Sequence, residues 1–386
     1  VPLTLSGISG GVALEPIQSL VGAEFPLFAF SHCRDVVAAV SRSGGFGVLG
    51  GSSFTPESLE EELRWIDSHV DGKPYGVDIL IPEHQMLGMD HSIDALLAQI
   101  PARHIDFTVD LLRRYGIAAT PQEVVTRQLP STLPEMGEAL MDVAFRHPIR
   151  LMVNALGIAP PAMIERSRRH GVPVGALVGA KEHAVRQVKA GVDLIIAQGG
   201  EAGGHCGEVS TLVLVPEVIR AIKPIRDVPV LAAGGIMTGA QMAGCMAMGA
   251  AGVWTGSVWL ATTESEASES FREKMVAANS RDTVRSPTRT GKPSRQLRSA
   301  WHEAWDGPGS PGALPMPMMA MISIPTFGKI DKAADAGNEK ARELVSYWVG
   351  QGVGLVEGVC SATAVVQEFK QDFADAMSRM MTIIDG

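Results

Sequence analysis

The sequence predicts an α/β chain whose strands close into a (β/α)8 TIM barrel carrying inserted helical and loop excursions. Three observations carry that prediction. Short, nearly all-apolar, β-branched runs recur between 26 and 260, as strands buried on both faces require. Helical patterns of about ten to fourteen residues separate them. Two consecutive late runs end in small residues, AAGG at 232–235 and TGS at 255–257, where such barrels build phosphate cradles. Near seven units are clear and the others are weaker. Eight close a barrel, whereas five or six make an open doubly wound sheet.

Taken in order, PLFAF (26–30) reads as a strand, DVVAAVSRSGG as a short helix stopped by glycines, and FGVLG (46–50) as a second strand. Thr55 can cap the next helix, with Pro56 at its first position and acidic residues after it, which suit the positive helix end. YGVDILIP (75–82) makes a third strand. Farther on, LMVNALG (151–157), VPVGALVG (172–179), DLIIAQG (193–199), VPVLAAGG (228–235) and GVWTGSVWL (252–260) read as strands. Helical segments lie between them, and MTGAQMAGCMAMGA is a helix lined with small residues.

Two stretches break the rhythm. Residues 84–148 hold a strand-like ARHIDFTV and a helical piece near 133–145. Residues 263–345 are rich in Ser, Arg, Pro and Gly, with helical patches such as EASESFREKMVAA. Both are expected to pack over one end of the barrel or to form a small helical subdomain. The division that follows is an N-terminal extension (1–24) and the main barrel (25–262), interrupted by the first excursion. The second excursion (263–345) comes next, then a final barrel segment with a C-terminal helix (346–386). PMPMMAMISIP (315–325) reads as an ordinary buried loop, or else as a lid over an apolar ligand.

Composition narrows the function. The 386 residues are 46% hydrophobic, ample for a large core. A formal charge of −9 argues against a nucleic-acid groove. Cys33, Cys206, Cys245 and Cys360 are widely spaced and read as reduced thiols of a cytoplasmic protein. There is neither a basic leader nor an apolar run long enough to span a membrane. No metal-ligand spacing occurs; Asp110, His84 and Glu201 form no pattern of that kind. Gly45, Gly47 and Gly50 spell G-x-G-x-x-G, but a helix precedes the motif and its middle is itself a strand. They therefore read as a helix stop and a close approach, not as a dinucleotide fingerprint.

Two loops carry chemistry. At Gly234–Gly235 and at Gly256–Ser257, backbone N–H groups and a hydroxyl can reach a phosphate. QGGEAGGHCG, Gln198 to Gly207, follows a strand and is stripped of side chains by its glycines, Gly203 and Gly204 among them. Gln198, Glu201 and His205 are its polar exceptions. His205 suits a proton-transfer role near neutral pH, and Cys206, adjacent in sequence, points elsewhere.

Together SGGFGVLG, QGGEAGGHCG, VPVLAAGGI, GVWTGSVWLAT and the late GQGVGLVEG (350–358) resemble the nitronate monooxygenases, FMN-dependent barrel enzymes related to flavin-dependent enoyl-thioester reductases. The resemblance covers about 25–82, 149–262 and 350–358. It implies FMN as cofactor and His205 as the active-site histidine, placed to take the substrate's α-proton or to orient its anion. It implies phosphate contacts from Gly234, Gly235, Gly256 and Ser257. Ala29, Phe30 and Ser31 would run beside the flavin ring, with Asp78, Gln198, Gly203, Gly204, Gln351 and Gly352 near it. The implied reaction oxidises an alkyl nitronate with oxygen to a carbonyl compound and nitrite. The alternative is an NAD(P)H-dependent FMN reductase of an enoyl thioester or cyclic enone; a third reading is a non-catalytic phospholigand-binding barrel. The expected partner is a small-molecule substrate, apolar or an acyl thioester in the reductase case, and the chain can assemble as a homo-oligomer. Three positions depart from the family. Ala29-Phe30-Ser31-His32 stands where Ala-Pro-Met is usual, and Lys181 falls late. Asp78 stands where Asn is frequent, and a carboxylate cannot donate the hydrogen bond an amide can.

Overall fold

The computed structural model describes residues 17–81, 92–127 and 134–385. Most of the expected N-terminal extension, parts of the first excursion and His84 lie outside them. Eight parallel strands form a closed barrel in chain order. They are β1 (Leu27–Ser31), β2 (Phe46–Gly50), β3 (Tyr75–Ile79), β4 (Leu151–Asn154), β5 (Val174–Val178), β6 (Leu194–Gln198), β7 (Val230–Ala233) and β8 (Gly252–Thr255). β1 pairs with β8 through Phe28 opposite Trp254, which closes the ring. The helices behave as their end residues dictate. Thr55 caps Pro56–His69, its hydroxyl accepting from the Ser58 N–H at 3.2 Å, and Gly171 stops Pro161–His170 with a left-handed φ of 66°.

Strand alternation sorts the side chains into two layers. Phe28, Phe46, Val48, Val153, Ile196 and Trp254 point inward and fill the barrel. Their neighbours, such as Leu27, Ala29, Val77 and Ile195, point outward under the helices. Gly47 belongs to that outer contact: a methyl group there would lie 2.3 Å from the Val37 carbonyl oxygen, so the glycine lets the helix Arg34–Arg42 settle on β2.

The two excursions share one core. Leu96, Leu111, Leu112 and Val124 of the first pack with Trp301, Met319 and Ile330 of the second. A short antiparallel hairpin, β9 (Thr283–Ser286) and β10 (Ser294–Leu297), rises from the second. Three sequence expectations are corrected. ARHIDFTV is helical, within Ala102–Arg114, because His104, Thr108, Val109, Leu111 and Leu112 share a buried face. GVWTGSVWL stays extended only to Thr255; Ser257–Ala261 turn into a 3-10 helix, and the Trp259 indole donates back to the Thr255 carbonyl at 3.2 Å. The methionine-rich segment is a loop only as far as Pro317. It opens the helix Met318–Asp335, whose Met319 and Met321 are buried in the shared excursion core. That helix runs through Pro325, and the Met321 carbonyl, which Pro325 cannot bond, accepts instead from the Thr126 N–H at 2.8 Å. No helix among the described residues is long and apolar enough to cross a membrane.

Candidate active site

The carboxyl ends of the eight strands define the mouth. By register, Gly50, Asp78 and Val153 lie side by side facing inward, as do Gln198 and Ala233. Phe30 and Trp254 stack at 6.0 Å between ring centroids and wall one side. Asp78 is only 3% exposed, and its Oδ1 has no hydrogen-bond partner among the described residues. Burial pushes its carboxyl up to about 8, so it is protonated near neutrality. The concern raised by an aspartate in an asparagine position is thereby reversed: the neutral carboxyl keeps a donor.

The loop after β6 is held from both sides. Glu201 accepts from the Thr211 N–H at 2.9 Å and the Thr211 hydroxyl at 3.0 Å, which ties the loop to the start of the helix Thr211–Ile222. On the other side, Gly204 and Arg295 exchange backbone hydrogen bonds of 3.0 and 2.8 Å. The Arg295 guanidinium donates twice to the Gly200 carbonyl, at 3.1 and 2.7 Å. Cys206 turns its thiol to the Gly200 carbonyl at 3.6 Å, away from His205.

His205 sits between this loop and the hairpin turn. Its Nδ1 lies 3.1 Å from the Pro293 carbonyl oxygen and its Nε2 lies 3.2 Å from the Thr290 hydroxyl. A carbonyl only accepts, so Nδ1 carries the proton and Nε2 keeps its lone pair. Partial burial of the ring lowers its pKa; the Pro293 bond opposes this, and the positive charge of Lys292 adds to it. The residue still presents an exposed edge.

The sequence-predicted glycines converge on the base of the same loop. Gly234 and Gly235 take left-handed φ values of 106° and 72°, which turns the chain sharply at the end of β7. The Gln241 amide accepts from the Met237 N–H at 2.7 Å and donates to the Gly235 carbonyl at 3.0 Å. Gln351 donates its backbone N–H to the Glu201 carbonyl at 2.8 Å, and Ser257 accepts from the Gly350 N–H at 2.9 Å. A methyl group at Gly352 would lie 2.9 Å from the Gly235 carbonyl oxygen, and one at Gly203 would lie 2.9 Å from the Gly350 nitrogen. At Gly204 and Gly256, by contrast, a methyl group would enter open space. The loops after β6, β7 and β8 and the 350–352 turn thus form one cluster.

Other positions stand apart. Ala29 points outward into the sheet–helix core, leaving only its backbone for the mouth. The Ser31 hydroxyl accepts from the Cys33 N–H at 3.1 Å. Lys181 pairs with Glu217 at 2.8 Å. No group of His, Cys, Asp and Glu suited to a metal occurs among the described residues. Sequence reading missed Thr290, Pro293 and Arg295. They lie in SPTRTGKPSR, a Pro- and Gly-rich stretch without periodicity, so only the fold brings them to His205.

A nitronate monooxygenase family model matches residues 26–372. A protein of Mycobacterium tuberculosis named as a monooxygenase is 50% identical over 377 residues, covering 95% of this chain and 98% of that one. A protein of Staphylococcus saprophyticus named as a nitronate monooxygenase is 26% identical over 378 residues, 94% of this chain and 98% of that one. The crystal structure of nitroalkane oxidase from Streptomyces ansochromogenes superposes with a TM-score of 0.76 at 24% identity, covering 95% of this chain and 99% of that one, a likeness of fold. With a barrel of this topology and a family match across nearly the whole chain, the protein belongs to the nitronate monooxygenase family and is a flavin-dependent oxidoreductase.

Proposed function

We propose that the chain is an FMN-dependent nitronate monooxygenase, turning alkyl nitronates and oxygen into a carbonyl compound and nitrite. Family membership supports the flavin and the reaction class. The observation that carries the residue roles is the tautomer of His205. With Nδ1–H committed to the Pro293 carbonyl, Nε2 is the nitrogen with proton-accepting capacity. It can take the α-proton of a neutral nitroalkane, leaving the electron pair on the substrate as its anion. Once protonated, it can hold that anion in place.

The residues present fit FMN. Open space beside Gly204 and Gly256 leaves room for a group against the backbone. The left-handed turn at Gly234–Gly235 exposes consecutive N–H groups, an arrangement that suits a phosphate. Ser257 has a hydroxyl hydrogen still to donate, because its oxygen accepts from Gly350. Asp78 holds a buried polar atom of the kind a ligand satisfies. Gly234, Gly235, Gly256 and Ser257 would hold the phosphate. Asp78, Gln198 and the backbone of Ala29–Ser31 would face the ring, with Gly203, Gly204, Gln351 and Gly352 closing the loop side. When bound, FMN supplies the electron transfer from substrate to oxygen, chemistry that no side chain here provides.

The test is His205→Ala. The variant should keep its flavin and lose turnover of a neutral nitroalkane by roughly 10²–10⁴-fold, the usual weight of a positioned acid–base group. Full turnover in a flavin-loaded variant would remove His205 from the chemistry.

A further inference from the structure

The Thr290 hydroxyl has one proton and two acceptors within reach. It lies 3.2 Å from Nε2 of His205 and 3.1 Å from the Lys292 carbonyl oxygen, and it accepts from the Lys292 N–H at 3.3 Å. The turn that carries it is rigidly built. Arg289, next to it, is 6% exposed and stacks over Phe327 at 3.8 Å and Trp348 at 4.9 Å. Its guanidinium donates to the Gln296 amide oxygen at 3.2 Å and the Ser346 carbonyl at 2.6 Å, while its own carbonyl accepts from the Ser323 hydroxyl. On the other side, Gly291 has a left-handed φ of 91° and lies so close to the 314–316 segment that a methyl group would meet the Met316 nitrogen at 2.2 Å. Thr290 is therefore fixed between two anchors in the excursion core, with its hydroxyl presented to the barrel histidine.

We propose that Thr290 is a positioning residue for His205, its hydroxyl acting as a two-position hydrogen-bond switch. While the ring is neutral, the hydroxyl donates to Nε2 and holds the imidazole in place. When Nε2 is protonated, the O–H rotates to the Lys292 carbonyl and the same oxygen accepts the Nε2–H, so one fixed hydroxyl holds the ring in either protonation state. No atom is gained or lost in the switch. The second excursion thus completes the barrel's site through a hydroxyl as well as through Pro293. This inference rests on the reading of His205 as the proton-handling group.

The experiment uses flavin-loaded protein labelled with ¹⁵N at histidine, with His205 assigned by the signal missing in His205→Ala. In the unaltered protein, Nδ1 is protonated and Nε2 is a hydrogen-bonded acceptor. Thr290→Val removes the hydroxyl at nearly constant shape. Its Nε2 resonance is expected to move to the position of an unbonded ring nitrogen, and its turnover of a nitronate to fall about tenfold, one hydrogen bond's worth. Thr290→Ser is expected to restore both, with flavin content unchanged in each variant. An Nε2 resonance that does not move in Thr290→Val, or one that moves without loss of turnover, overturns the proposal. A His205→Ala variant of full activity would instead overturn the reading beneath it, leaving the spectroscopic contact intact.

Discussion

Arg295 and Gly200 lie 95 residues apart in the chain, yet the guanidinium donates two hydrogen bonds to that one carbonyl, at 3.1 and 2.7 Å. The contact clamps the loop of His205 to the excursion hairpin. A hydrogen bond to a charged group contributes about 1.5–3 kcal/mol. Arg295→Leu should lower turnover per bound flavin about tenfold, and Arg295→Lys should recover only part, because an ammonium lacks the planar fork. Steady-state assays at matched flavin content check this; equal turnover in Arg295→Leu would show that the clamp is dispensable.

Asp78 makes stability depend on pH. Its folded pKa, pushed up to about 8 by burial, lies above the value near 4 expected unfolded. The folded chain therefore holds a proton that the unfolded chain releases. This stabilisation is full below about pH 4 and is lost progressively as pH rises toward about 8. The melting temperature of flavin-loaded protein should fall more between pH 5 and pH 8 than that of Asp78→Asn, which has no proton to lose. Parallel curves would mean that Asp78 is not held neutral.

Much of the barrel was legible because strands buried on both faces leave continuous apolar runs, and FGVLG and DLIIAQ need no tertiary information to read. The gathering of the glycine loops was legible for a related reason: backbone stripped of side chains is conspicuous. The helix of ARHIDFTV was hidden because its apolar face is completed only by residues 111 and 112, beyond the segment. The 286–295 turn was hidden because its order comes from Arg289 buried among aromatic rings distant in sequence. No local pattern encodes that.

Gly235 tests the phosphate cradle. At a φ of 72°, an aspartate there is strained, and its carboxylate would repel a phosphate. Purified Gly235→Asp should be colourless and still folded by circular dichroism. A normal flavin complement in folded protein would move the cradle elsewhere.

Lys292 is exposed and close enough to His205 to lower its pKa. A cation beside the ring attracts an anionic substrate, and exposed charges are screened by salt. Lys292→Glu should raise KM for a nitronate several-fold at low ionic strength with little change in kcat. The gap should narrow at about 0.5 M salt. A KM indifferent to both charge and salt would exclude this steering.

The most direct measurement is anaerobic mixing of flavin-loaded protein with an alkyl nitronate, NADH and NADPH in turn, following the flavin absorbance. A nitronate monooxygenase loses its oxidised flavin spectrum with the nitronate alone, and air then restores it with release of nitrite. Rapid bleaching by a nicotinamide, with no response to the nitronate, would contradict the account and point to a reductase.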